Sequence, residues 1–190
     1  MHRTLLLWLL SALTPAAAAD LDTFHAALKA LCGKSFAGQI VANTPEDPAD
    51  PFLGKPLVMQ VRECGEDEIR VPFHVGDDHS RTWVFTRTAT GLRLKHDHRH
   101  ADGSPDATTM YGGDTRASGS ATRQEFPVDA ESISLFEREG RTVSTTNVWA
   151  VEITPEAFVY ELARPGRLFR VSFDLTREVA APPVPWGASD

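Results

Sequence analysis

Beyond its first nineteen residues the chain lacks a long apolar run, lacks an excess of basic residues and holds only two cysteines. The first absence excludes a transmembrane helix, which needs about 20 consecutive apolar residues. The second, 19 Lys and Arg against 26 Asp and Glu for a net charge of −7, leaves no electrostatic footprint for nucleic acid or anionic lipid. With no C-x-x-C among its residues, the chain has no paired-thiolate metal or redox motif. Also missing are G-x-S-x-G, H-E-x-x-H and a phosphate-cradling glycine loop, so signals for an enzyme are thin.

What opens the chain is a leader. His2 and Arg3 precede an apolar stretch from Leu5 to Leu13, followed by Pro15 and four alanines. Residues 1–19 therefore read as a secretory signal peptide cleaved after Ala19, which places the product in the periplasm or outside the cell. Loss of Arg3 takes the mature chain to −8. In that oxidising compartment Cys32 and Cys64 are expected to form a structural disulfide. By chain entropy such a loop contributes about 3 kcal/mol.

Residues 20–179 have the length of one domain with one core. Asp20 to Leu31 carries Leu21, Phe24, Leu28 and Leu31 at helical spacing, with Gly33 to end the helix. Alternation takes over from there. Strands are expected at Phe36–Val41, Leu57–Cys64, Ile69–Val75, Arg81–Arg87, Leu92–His100 and Ala121–Phe126, with a shorter one at Ser132–Phe136. Three more follow: Val143 to Ile153 with Thr145, Asn147 and Trp149 on one face, then Phe158 to Leu162, then Phe169 to Leu175. Residues 44–55, with three prolines, cannot form a central strand, and 180–190 form a proline-rich tail expected to be flexible.

About 8–10 short antiparallel strands joined by tight turns and preceded by one short helix predict an all-β fold, an up-and-down barrel. In layout this resembles the calycins, the lipocalin-like closed barrels that hold small ligands. The glycine-x-tryptophan signature of many lipocalins is absent, the stretch reading Gly33-Lys34-Ser35-Phe36, so no family site residue carries over. The segment from His96 to Gly113 resembles uncharacterised secreted proteins of Gram-negative bacteria, which implies a compartment and no activity.

The most informative stretch is Leu92, Leu94, His96, His98 and His100, alternating with Arg93, Lys95, Asp97 and Arg99. On a strand this puts the charges outward and the leucines and imidazoles on the interior face. Histidines at i and i+2 lie roughly 6.6–6.8 Å apart at Cα and can share a metal. His96, His98 and His100 with Asp102 form a candidate ligand set for a divalent transition metal such as zinc; Asp106, Tyr111 and Asp114 lie in the same loop. The same wall could instead bind a small organic ligand through His96, His98, His100, Tyr111, Asn147 and Tyr160, or ligate haem through one histidine. Protonation near pH 6 would set the imidazoles against one another. A structural reading stands beside these, with neutral histidines hydrogen-bonded to Asn147, Thr145 or Tyr160. In the following loop Asp102, Ser104 and Asp106 resemble part of a calcium loop without its closing glutamate, and side-chain turns explain them better.

The expected protein is thus a periplasmic or secreted barrel that binds a small molecule or metal ion at a histidine-lined wall. The alternatives are a metal-dependent hydrolase or lyase on the same barrel, and a non-catalytic envelope protein with structural histidines.

Overall fold

The computed structural model describes residues 15–116 and 119–189; most of the expected signal peptide, residues 1–14, lies outside the described residues. The helix α1 (Pro15–Lys29) begins within that leader and ends two residues before the expected Leu31. Eleven antiparallel strands follow among the described residues: β1 (Ser35–Thr44), β2 (Leu57–Gln60), β3 (Glu63–Cys64), β4 (Glu68–Val75), β5 (Asp78–Thr88), β6 (Gly91–His98), β7 (Tyr111–Asp114), β8 (Arg123–Pro127), β9 (Val148–Ile153), β10 (Ala157–Arg164) and β11 (Arg167–Glu178).

Successive strands pair from β4 to β7 and from β8 to β11, β2 lies between β1 and β4 with β3 as a short addition to β4, and β11 returns to pair with β1. The result is the expected up-and-down topology, a nearly closed barrel. Its seam lies between β7 and β8, where a single antiparallel bridge joins Gly113 to Val128. Two glycines permit that closure. A Cβ on Gly112 would sit 1.8 Å from the Leu94 carbonyl oxygen, and one on Gly113 would sit 1.8 Å from that of Pro127. Only residues without a side chain let three backbones approach so closely.

The inward rows match the alternation in the sequence. Trp149, Phe158, Tyr160, Phe169, Val171 and Phe173 are all buried in one core, as are Leu92 and Leu94. Phe24 and Leu28 of α1 join the same core where the helix packs against β6, β8 and β9, closing one end of the barrel. Cys32 and Cys64 are bonded, with Cα atoms 6.3 Å apart, so the end of that helix is tied to β3.

Three local expectations are corrected. Ser132–Phe136 is not a strand but part of a second helix, α2 (Ala130–Arg138). Asp129 caps it by accepting from the Ser132 amide at 2.8 Å, and its apolar residues Ile133 and Phe136 share a face at helical spacing. The strand expected from Val143 begins only at Val148, because Thr142–Thr146 form a 3-10 turn that leaves Val143 65% exposed. The histidine strand ends at His98, two residues early. Backbone bonds from Asp106 to His98 and from Gly103 to His100 fold the chain away there.

The outer faces hold less solvent than the charge pattern suggests. Arg93 is exposed, but Lys95 and Asp97, outward in register, are 6% and 5% exposed. The start of α2 covers Lys95, whose ammonium donates to Asp129 at 2.8 Å and Glu131 at 3.2 Å. Residues 180–189, expected to be loose, return along the outside of the barrel. There the Trp186 amide donates to the His79 carbonyl and Arg62 donates to the Ser189 carbonyl.

Candidate functional site

At the end of the barrel opposite α1 lies a cavity of about 390 Å3. Its walls come from successive inward rows: Phe73 of β4, Trp83 of β5, His96 and His98 of β6, Trp149 of β9, Tyr160 of β10 and Phe169 of β11. The proline-rich segment 45–56 folds over the opening. Asp50 Oδ1 accepts from the Phe52 amide at 2.9 Å, and Phe52 packs against Phe169 with ring centroids 4.9 Å apart. Trp83 forms the centre of the aromatic floor, stacked on Phe73 at 4.9 Å and on Tyr160 at 4.5 Å.

Of the six residues expected to form a ligand wall, five line this cavity: His96, His98, Tyr111, Asn147 and Tyr160. His100 does not. Its side chain is 57% exposed beyond the end of β6, 4.0 Å from the Asp106 carboxylate.

His96 is fixed on both sides. Its Nδ1 lies 3.1 Å from the Tyr111 carbonyl and its Nε2 lies 2.8 Å from the Tyr160 hydroxyl. A carbonyl only accepts, so Nδ1 carries the hydrogen and the Tyr160 hydroxyl donates to Nε2. The ring is neutral, and burial lowers its pKa from 6.5 to about 3. His98 is lowered to about 4, first by burial and then by the nearby Arg81 guanidinium. Burial pushes the Tyr111 hydroxyl, 3.1 Å from His98 Nε2, up to about 12 and raises Tyr160 well above 10. These groups therefore keep one charge state through the physiological range, and the expected repulsion near pH 6 does not arise.

The expected metal set does not assemble. Both nitrogens of His96 are occupied, and His100 projects away. Asp102 spends Oδ1 on the Ser104 amide and hydroxyl at 2.9 and 2.6 Å. Among the described residues no group of three or more histidines, cysteines and carboxylates could hold a metal ion. Asp106 likewise turns back to the Thr108 amide at 2.7 Å, so the apparent calcium loop is a pair of side-chain turns.

The sequence reading missed the arginines. Arg81, Arg141, Arg164 and Arg167 line the cavity, and Asp106 is the single carboxylate among its lining residues. Three of them extend the aromatic rows: Arg81 precedes Trp83 by two residues, Arg164 follows Leu162 by two, and Arg167 precedes Phe169 by two. That spacing was a readable signal, since strand alternation puts each guanidinium on the same face as its aromatic or leucine neighbour. A second recess, of about 610 Å3, lies on the outer surface between β4–β6 and the tail. Its charges satisfy one another, Asp97 pairing with Arg99 at 2.8 Å and with Arg70 at 3.4 Å.

Comparison with protein-family models, curated proteins and solved structures finds no match to this chain. Among the described residues no helix is long and apolar enough to cross a membrane.

Proposed function

We propose that this chain is a periplasmic or secreted β-barrel that binds a small organic molecule in the cavity at its open end. The observation that carries the reading is the cavity itself, about 390 Å3 within the barrel, with an aromatic floor and a few fixed polar groups. Small-molecule sites have this composition and run from about 300 to 1,000 Å3. Its location is supported by the leader-like residues 1–19 and by the disulfide, which suits an oxidising compartment. In this reading the histidines serve the wall. His96 holds Tyr160 and Tyr111 in place, and His98 presents an edge beside Arg81.

The test is titration of the oxidised protein, residues 20–190, with two fluorescent probes of one ring system: anilinonaphthalene sulfonate and its neutral parent, phenylnaphthylamine. At least one should bind saturably, at one site, and quench Trp83 and Trp149. Leu162→Trp, which places an indole in the cavity, should abolish that binding while the fold is retained. Failure of both probes to bind, or undiminished binding to a folded Leu162→Trp protein, overturns the reading.

A further inference from the structure

We propose that the cavity selects organic anions, holding a carboxylate-class group at its mouth through Arg164 and Arg141 with a flat apolar body against the aromatic floor. The inference rests on the cavity being a ligand site and specifies what that site accepts.

The argument begins at the β10–β11 hairpin. Arg164 and Arg167 are directly opposed across it, and both line the cavity. Like charges at opposed positions destabilise a hairpin unless something intervenes. Arg167 has its own counter-charge in Asp50, to which it donates at 3.3 Å, and it also donates to the neutral Asn43 Oδ1. Arg81 is likewise matched, to Asp78 at 2.6 Å. Arg164 meets only the neutral Asn147 Oδ1, at 3.3 Å. Among the described residues neither Arg164 nor Arg141 has a carboxylate within 4.0 Å.

Two guanidiniums without a carboxylate partner on the wall of one cavity, Arg164 half-buried and Arg141 exposed, outnumber the single lining carboxylate, Asp106, and form a local field opposite in sign to the chain's net charge of −7. The chain has acidic residues in excess yet places none against Arg164. Burial and the neighbouring Arg167 both disfavour the charged form of Arg164. An anion with its charged end between Arg164 and Arg141 relieves this strain, since a planar guanidinium donates in pairs to a carboxylate. The remainder of such a ligand meets Trp83, Tyr160 and Trp149. Their flat faces favour an aromatic or otherwise planar body.

The two probes separate this inference from the reading beneath it, because they differ only in a sulfonate that stands in for a carboxylate. The wild-type protein should bind the sulfonate at least about tenfold more tightly than the neutral parent, the effect expected of a charged hydrogen bond. High salt, about 0.5 M, should erode that preference and leave the neutral probe unaffected. Arg164→Gln combined with Arg141→Gln should bring the two affinities within about threefold, whereas Arg177→Gln on the outer surface should leave the ratio unchanged. If the double variant does not fold, the salt titration of the wild type decides alone. Equal affinity for both probes, or a preference insensitive to salt, overturns the anion inference and leaves the cavity reading standing. No binding of either overturns both.

Discussion

Where α1 meets the barrel, Phe24 and Leu28 are fully buried against the inward rows of the strands. At the opposite end the same rows finish in Arg81, Arg164 and Arg167, with Phe52 swung over the opening. One sheet thus closes one end with hydrocarbon and lines the other with guanidinium and imidazole. The residues that stabilise the barrel and those that face a cavity therefore sit at opposite poles, and substitutions should sort by pole. Phe24→Ala should cost about 3–5 kcal/mol, because the plug cannot collapse into the space the ring leaves. Its urea midpoint should fall steeply while probe affinity holds in the surviving folded protein. Phe52→Ala at the mouth should do the reverse and weaken the probe more than it lowers the midpoint. Similar effects of the two variants on both measurements would erase the distinction between the ends.

The legibility of the sequence follows the same division. Strand alternation exposed the barrel, the inward aromatic rows and the helix plug, since each depends on the period of two or of 3.6 residues. It failed where tertiary contact overrides local pattern. Ser132–Phe136 alternates well enough for a strand, yet Asp129 caps it and Lys95 binds its first turn, so a helix forms. Gly112 and Gly113 conceal a strand, because residues chosen for close backbone approach carry no side-chain pattern. Five of six wall residues were found because histidine, tyrosine and asparagine are conspicuous among inward positions. The arginines escaped because the sequence reading gave them no face, although Arg81, Arg164 and Arg167 each stand two residues from an inward aromatic or leucine. Pairing of His96 with Tyr160 joins strands far apart in sequence, and no local spacing encodes it.

Acid should act at both ends, since burial lowers the pKa of His25 on α1 as well as those of the histidines at the mouth. His96 and His98 at the mouth and His74 of β4, packed against His79, have pKa values lowered from 6.5 to about 3, 4 and 4, chiefly by burial. The native state thus binds fewer protons than the unfolded chain between about pH 4 and 6.5. Stability is complete above 6.5 and declines as pH falls through that window, by about 1.4 kcal/mol per pH unit for each histidine that protonates only on unfolding. Urea midpoints at pH 7 and pH 5 should differ accordingly, and His74→Gln should reduce the difference. A midpoint unchanged across that interval would mean that the three rings are already protonated in the fold or reach solvent freely.

The smallest expected effect concerns a charge contact between α1 and the barrel at the apolar end. Arg87 of β5 pairs with Asp22 of α1, but the two side chains are 39% and 62% exposed. Exposed pairs contribute about 0–1 kcal/mol after solvent screening and lost side-chain freedom. Arg87→Ala should therefore shift the urea midpoint far less than Phe24→Ala, even though both substitutions remove contacts of the same helix. It carries an independent signature at His25, whose pKa is lowered first by burial and then by Arg87. Removing the guanidinium should move the His25 titration upward in an NMR experiment even where stability scarcely changes. A loss of stability rivalling that of Phe24→Ala would show that charge, and not hydrocarbon, seats the plug, and the contrast between the two ends would then fail at its closed end.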